Sequence, residues 1–215
     1  NMIKLAEAID QSHLNAQIAV VISNQHCVGI THAAALGLPT KIIEKQDFAT
    51  RHTHDAAIER AINAAAADFV FLAGYMAILG ADFTTIFAGR LVNIHPSLLP
   101  DLKGLDTHQR AIDANATRHG ATVHLVTAAL DEGPIILQAE LSVSPHDNAK
   151  KLAARVLQLE HQLYPFVLKS LCDGQLTLAA DKVTWHRQEL PTQTEPPSAA
   201  ATFAEAVRWP DAAKP

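Results

Sequence analysis

Residues 90–100 read RLVNIHPSLLP, a short apolar run that closes on two polar side chains and a proline. Side chains alternate along an extended strand, so Asn93 and His95 share one side of it. Pro96 has no N–H to carry the ladder further, which puts both polar groups at the strand's carboxyl end. In open α/β sheets that edge is where ligands bind. By itself the stretch also fits a capped strand end with satisfied polar groups.

Outward from it, short apolar runs alternate with helical patterns, the signature of βαβ units. Strands are expected over 17–23 (QIAVVIS), 40–43, 68–73 (DFVFLA) and 90–94. The third is apolar throughout, as a strand covered on both faces should be. Helices are expected over 27–36, 53–67 and 147–171, the last with Leu152, Val156, Leu159 and Leu163 as its core stripe. Two further strands, 122–126 and 135–143, read as antiparallel additions, and Thr177 and Val183 belong to a terminal hairpin. The fold class is therefore α/β, a doubly wound, mostly parallel sheet with antiparallel C-terminal additions. Residues 1–190 form one domain, and 191–215, rich in Pro, Thr and Ala, form an extended or poorly ordered tail.

Composition limits the function. The chain has 215 residues, 48% hydrophobic and 18% charged, enough for a single buried core. A net charge of −5 carries no basic stripe of the kind a nucleic-acid binder shows. No run approaches a membrane span, no signal peptide opens the chain, and the cytoplasm is the default compartment. Cys27 and Cys172 make neither a disulfide framework nor a metal-type spacing. The twelve histidines raise a metal hydrolase as a rival, but no HExxH or Cys/His ligand spacing appears, and no metal is expected.

A second informative stretch is GATVHLVTAALDEGPIILQ (120–138), which runs strand, loop, strand with Asp131 in the loop. An acidic residue beside Gly and Pro is by itself an ordinary turn former. Taken together, NIHPSLLP, then GLDTH (104–108), then the 120–138 stretch resemble the folate-dependent formyltransferases. GLDTH and EHQLYP (160–165) are more typical of the branch that formylates glycinamide ribonucleotide. The likeness runs from residue 1 to about residue 187.

That resemblance implies a Rossmann-like fold and transfer of the formyl group of 10-formyltetrahydrofolate, a co-substrate, to the amine of glycinamide ribonucleotide in purine biosynthesis. It puts Asn93, His95 and Asp131 in the catalytic positions. It builds the folate slot from Leu72, Met76, Ile78, Leu79, Leu91 and Val126 with Ala128, Ala129 and Leu130, and sets Arg51 near the carrier's glutamate tail. Glu160 falls where the family contacts the substrate ribose, with Asn1 beside the substrate as well. The partners expected are small molecules, with no nucleic acid and no membrane; a homodimer is left open. Ala77 stands where many members have Arg, and Asp106 replaces a histidine often seen two residues before His108. Family members also carry a strand and a glycine-serine phosphate loop directly before the residue matching Asn1. Neither precedes Asn1, so a truncated or incompletely recorded sequence is expected, lacking a strand from mid-sheet.

Two rivals remain besides the metal hydrolase. A formyltetrahydrofolate deformylase would use water in place of the amine. A non-catalytic folate- or nucleotide-binding module would bind without turnover. Methionyl-tRNA and sugar-nucleotide formyltransferases normally carry a further C-terminal domain, for which the tail is too short.

Overall fold

A computed structural model describes residues 1–186 and 203–210. Helix α1 (Met2–Gln11) leads to strand β1 (Val21–Ser23), helix α2 (Val28–Ala35) and strand β2 (Thr40–Ile42). Helix α3 (Arg51–Ala64), β3 (Val70–Leu72), α4 (Ala81–Ile86) and β4 (Leu91–His95) follow. Then come α5 (Thr107–Asp113), β5 (Arg118–Leu125), β6 (Ile135–Ser142) and the long α6 (Ala149–Cys172). The hairpin β7 (Leu176–Ala179) and β8 (Lys182–Trp185) precedes α7 (Phe203–Ala206) and β9 (Val207–Arg208).

Local chemistry sets several boundaries. The α3 helix starts two residues ahead of the expected 53, because Thr50 and Thr53 bond each other's backbone N–H in a capping box. The α6 helix starts where the Asn148 side chain accepts from the Lys151 N–H. The 17–23 run is strand only from Val21 onward.

Five strands lie in the order β3-β4-β5-β6-β9. The β3–β4 ladder is parallel and the next three are antiparallel, so β3, β4 and β6 run the same way. A parallel β1–β2 pair stands apart, and among the described residues no ladder joins it to β3. The class is the expected mixed α/β one, with the antiparallel additions carboxyl-terminal to β4.

Helices cover both faces, and β4 reports the division. Val92 and Ile94 pack into a core shared with Leu152, Val156 and Leu163 of α6 and Leu5 of α1. Leu91 points the other way, into a second core with Ile58 and Ile62 of α3 and Phe83 of α4. Each such fully buried side chain contributes about 1.5–3 kcal/mol. By the same alternation Asn93 and His95 emerge on the Leu91 side. Tyr164 of α6, fully buried, shares its hydroxyl hydrogen between the carbonyls of Leu72 and Val92, 3.0 Å each, and so ties α6 to both strands.

The expectation of an extended tail is corrected in part. Residues 203–210 return to the sheet, with Val207 and Arg208 opposite Ala139 and Gln138 on the free edge of β6. Phe203 and Val207 are buried, and the Trp209 ring meets Trp185 edge-on at 4.7 Å. Arg208 adds an ion pair to Glu140. Widely spaced apolar residues supply this anchor, and the Pro/Ala-rich composition hides them. The rest of 187–215 lies outside the described residues. Among those described, no helix is long and apolar enough to cross a membrane.

Candidate active site

Beyond β4 the chain turns through Pro96 and is pinned by a buried polar network. Thr122 of β5, fully buried, donates to the Ser97 carbonyl at 2.7 Å and accepts from the Leu99 N–H at 3.0 Å. Gln138 of β6 donates to Thr122 Oγ1 at 2.8 Å and to the Leu99 carbonyl at 2.9 Å. Thr107 reaches back to the Pro96 carbonyl at 2.7 Å. This fixes the 96–107 loop over the end of β4, with the Leu99 N–H and the Pro96, Ser97 and Leu99 carbonyls satisfied.

The loop touches both ionisable members of the expected trio. His95, 6% exposed, donates from Nε2 to the Leu102 carbonyl at 3.0 Å. Its Nδ1 lies 3.6 Å from Asp131 Oδ2, within ion-pair reach and longer than a hydrogen bond. Asp131 Oδ2 accepts from the Gly104 N–H at 2.9 Å. Lys103 pairs with Glu132 at 2.7 Å, a second tie between the two loops.

Asp131 reaches this place through a tight return of the 126–134 loop. The Leu125 N–H bonds the Pro134 carbonyl at 2.9 Å. A Cβ on Gly133 would stand 1.8 Å from the Leu125 carbonyl oxygen, so only glycine permits the approach. Asp131 itself has φ 53, a left-handed conformation that Asp tolerates better than most residues.

Asn93 is directly opposite His124 across the β4–β5 ladder. Its Nδ2 lies 3.1 Å from His124 Nε2, and Asp131 Oδ1 lies 3.7 Å from that same ring nitrogen. Asn93, His95 and Asp131 are thus brought together, and His124 is a fourth member that sequence reasoning missed. Only the antiparallel register could have shown it, because nothing in HGATVHL marks which strand position faces Asn93.

Two more histidines sit behind the loop. His108 Nδ1 and His119 Nε2 are 3.1 Å apart. Burial, then the neighbouring His108 and His95, holds His119 down at about 4, and burial also lowers His108. Among the described residues, no group of three His, Cys, Asp or Glu side chains is placed to hold a metal ion.

The expected folate residues divide into core and open surface. Leu91 is fully buried in the second core and lines no open surface. Leu72, Leu79 and Val126 are partly buried against that core. Met76 and Ile78 are 73% and 61% exposed, and Leu130 is 54% exposed beside exposed Ala128 and Ala129. Arg51 is exposed at the first turn of α3. One turn on, buried Asp55 accepts from the Gly80 N–H at 2.9 Å, anchoring the loop that carries Met76 and Ile78. Glu160, 8% exposed on α6, accepts from Asn1 Nδ2 at 2.6 Å. Burial pushes the Glu160 carboxyl up, and the Asn1 hydrogen bond opposes it.

Residues 1–168 match the Formyl transferase family. A phosphoribosylglycinamide formyltransferase of Haemophilus influenzae is 40% identical over 179 residues, 83% of this chain and 84% of that protein. The solved structure of the phosphoribosylglycinamide formyltransferase of Coxiella burnetii superposes with a TM-score of 0.80 at 39% identity, covering 85% of this chain and 88% of that one. The human trifunctional purine biosynthetic protein adenosine-3 is 36% identical over 191 residues, 88% of this chain and 19% of that longer protein.

Proposed function

This chain belongs to the Formyl transferase family, and from that premise we infer that it moves a formyl group from a folate carrier to the amine of glycinamide ribonucleotide in purine biosynthesis. The carrier we propose is 10-formyltetrahydrofolate. The observation that carries the reading is the meeting of Asn93, His95 and Asp131 at the end of β4 in a chain whose relatives bear that activity in their names.

The chemistry needs few parts. The amine nitrogen attacks the formyl carbon, the carbonyl oxygen takes the negative charge, and the carbon–nitrogen bond to the folate then breaks. One proton leaves the amine and one arrives on the departing folate nitrogen. The Asn93 amide donates to the oxyanion, and an aligned donor of this kind supplies about 3–4 kcal/mol in the transition state. His95, when protonated, is the second donor. Asp131 stands 3.6–3.7 Å from both histidines, so neither consumes its charge through a close hydrogen bond. Its carboxylate accepts the amine proton and passes it toward the leaving nitrogen, directly or through water.

The exposed apolar pair Met76 and Ile78, facing outward from a loop anchored at Asp55, suits the flat aromatic part of a folate. Leu72, Leu79 and Val126 back that slot, Leu91 supports it from the core, and Ala128, Ala129 and Leu130 form its other lip. Arg51 is assigned to the carrier's acidic tail, and Asn1 and Glu160 to the ribonucleotide. The reading takes 1–190 as the catalytic domain and 191–215 as its appended tail, and both substrates as metabolites of the cytoplasm.

A spectroscopic assay of the purified chain with 10-formyltetrahydrofolate, with and without glycinamide ribonucleotide, tests this. Loss of the formyl group only when the ribonucleotide is present is the expected result. Loss without it would replace the transferase by a hydrolase, and binding of both ligands with no turnover would leave a binding module.

A further inference from the structure

His124 takes no proton and holds no substrate in the reaction as proposed, yet it is 1% exposed and lies against Asn93. Its Nδ1 is 2.8 Å from the Leu125 carbonyl oxygen. A carbonyl can only accept, so Nδ1 carries the hydrogen. In the neutral ring Nε2 is then a bare acceptor. Burial is the largest influence on this ring and disfavours its charged form; proximity to His95 acts the same way, while the Leu125 carbonyl and Asp131 act against it. The partner within hydrogen-bond distance of Nε2 is Asn93 Nδ2, which can only donate.

The polarity matters because an amide is nearly symmetric in shape. Packing alone does not distinguish the Asn93 nitrogen from its oxygen; only a hydrogen-bond partner of fixed sense does. With Nδ2 held by His124, its second hydrogen diverges by about 120° and is free for a substrate oxygen. Turned over, the same side chain would set a partly negative oxygen beside the developing oxyanion.

We propose that His124, locked as its Nδ1–H tautomer by the Leu125 carbonyl, is a positioning residue that fixes which way round the Asn93 amide faces, so that nitrogen and not oxygen meets the formyl oxygen. This rests on the catalytic role of Asn93 proposed for the formyl transfer. Gly133 belongs to the same device. It packs on the Leu125 carbonyl so closely that a Cβ would displace the acceptor that locks the ring.

Two measurements test it on the full chain. Long-range proton–nitrogen NMR of the unmodified protein at neutral pH reads the tautomer directly. A protonated Nδ1 and bare Nε2 on His124 are expected; the opposite tautomer or a doubly protonated ring overturns the proposal, whatever any variant does. Kinetics then read the coupling. His124→Leu keeps bulk and removes the acceptor, and should lower kcat about 10²–10³-fold, the scale of losing one oxyanion donor, with KM for both substrates little changed. His124→Gln, which restores an oxygen near the position of Nε2, should recover about tenfold of that loss. In an Asn93→Ala background the His124→Leu change should cost nothing further. An equal loss in both backgrounds would make His124 a core residue only. Full activity of Asn93→Ala alone would instead reject the catalytic reading, an outcome separate from the first two.

Discussion

Asp131 and its neighbours carry the chemistry through single atoms. Its backbone is left-handed, its side chain is nearly buried, and its Oδ2 is held by the Gly104 N–H. Asp131→Asn keeps the shape and an oxygen for Gly104, but cannot take up the amine proton. We expect kcat to fall at least about 100-fold while thermal stability and KM stay close to those of the unmodified enzyme. Steady-state kinetics alongside a melting curve checks this, and retained turnover would remove Asp131 from the proton path. Glu160 differs in kind, because it sits on α6 and its carboxylate is held by the Asn1 amide. Glu160→Ala should raise KM for the ribonucleotide and spare kcat at saturation, and titration of the ribonucleotide at fixed folate separates the two.

At the level of elements, the site depends on two connections holding their shape. The 126–134 loop closes only because Gly133 lacks a side chain, and Gly133→Ala must move either that loop or the end of β5. A loss above about 2 kcal/mol in unfolding free energy is expected, with activity lost further than stability, read by urea unfolding and kcat. The 96–107 connection depends on Thr122, so Thr122→Val, close in shape, should cost about 1–3 kcal/mol by stranding the Leu99 N–H. These same connections explain what the sequence could and could not disclose. Asn93 and His95 were legible because alternation within one strand puts them on one side, whatever the neighbours do. The partnership of Asp131 was not, since in isolation it is a turn residue beside Gly and Pro; a family resemblance supplied it. His124 depended on a cross-strand register that no local pattern encodes. The early start of β5 at Arg118 is likewise a matter of its partner, for Gly120 lies so close to the Ala139 carbonyl that a Cβ would stand 2.0 Å from it. Helices α4 and α5, of six and seven residues, are too short for a period of 3.6 to show.

Across the whole molecule, stability and function respond to the same protons. Three histidines, buried His119 and His124 and half-buried His108, sit around the β4–β5 ladder, each with a pKa lowered chiefly by burial. The clearest is His119, held at about 4 against an ordinary 6.5. A lowered folded-state value means that the unfolded chain takes the proton first as pH falls. The stability this group confers is therefore present above about pH 6.5 and drains away as pH drops through about 4. His108 and His119 sharpen the effect, because two rings 3.1 Å apart share one hydrogen between facing nitrogens and cannot both hold one there. Unfolding free energy should thus fall between about pH 7 and pH 4.5 by more than exposed carboxylates would produce. His119→Gln has no titrating group, so its unfolding free energy should decline less steeply over that window, even if its starting value is lower. Urea titrations of both proteins at several pH values measure the two slopes. Parallel slopes would mean that the protonation of His119 is not what couples this fold to acid, and would shift the burden to His124, whose loss of neutrality would reverse the hydrogen-bond polarity that Asn93 now follows.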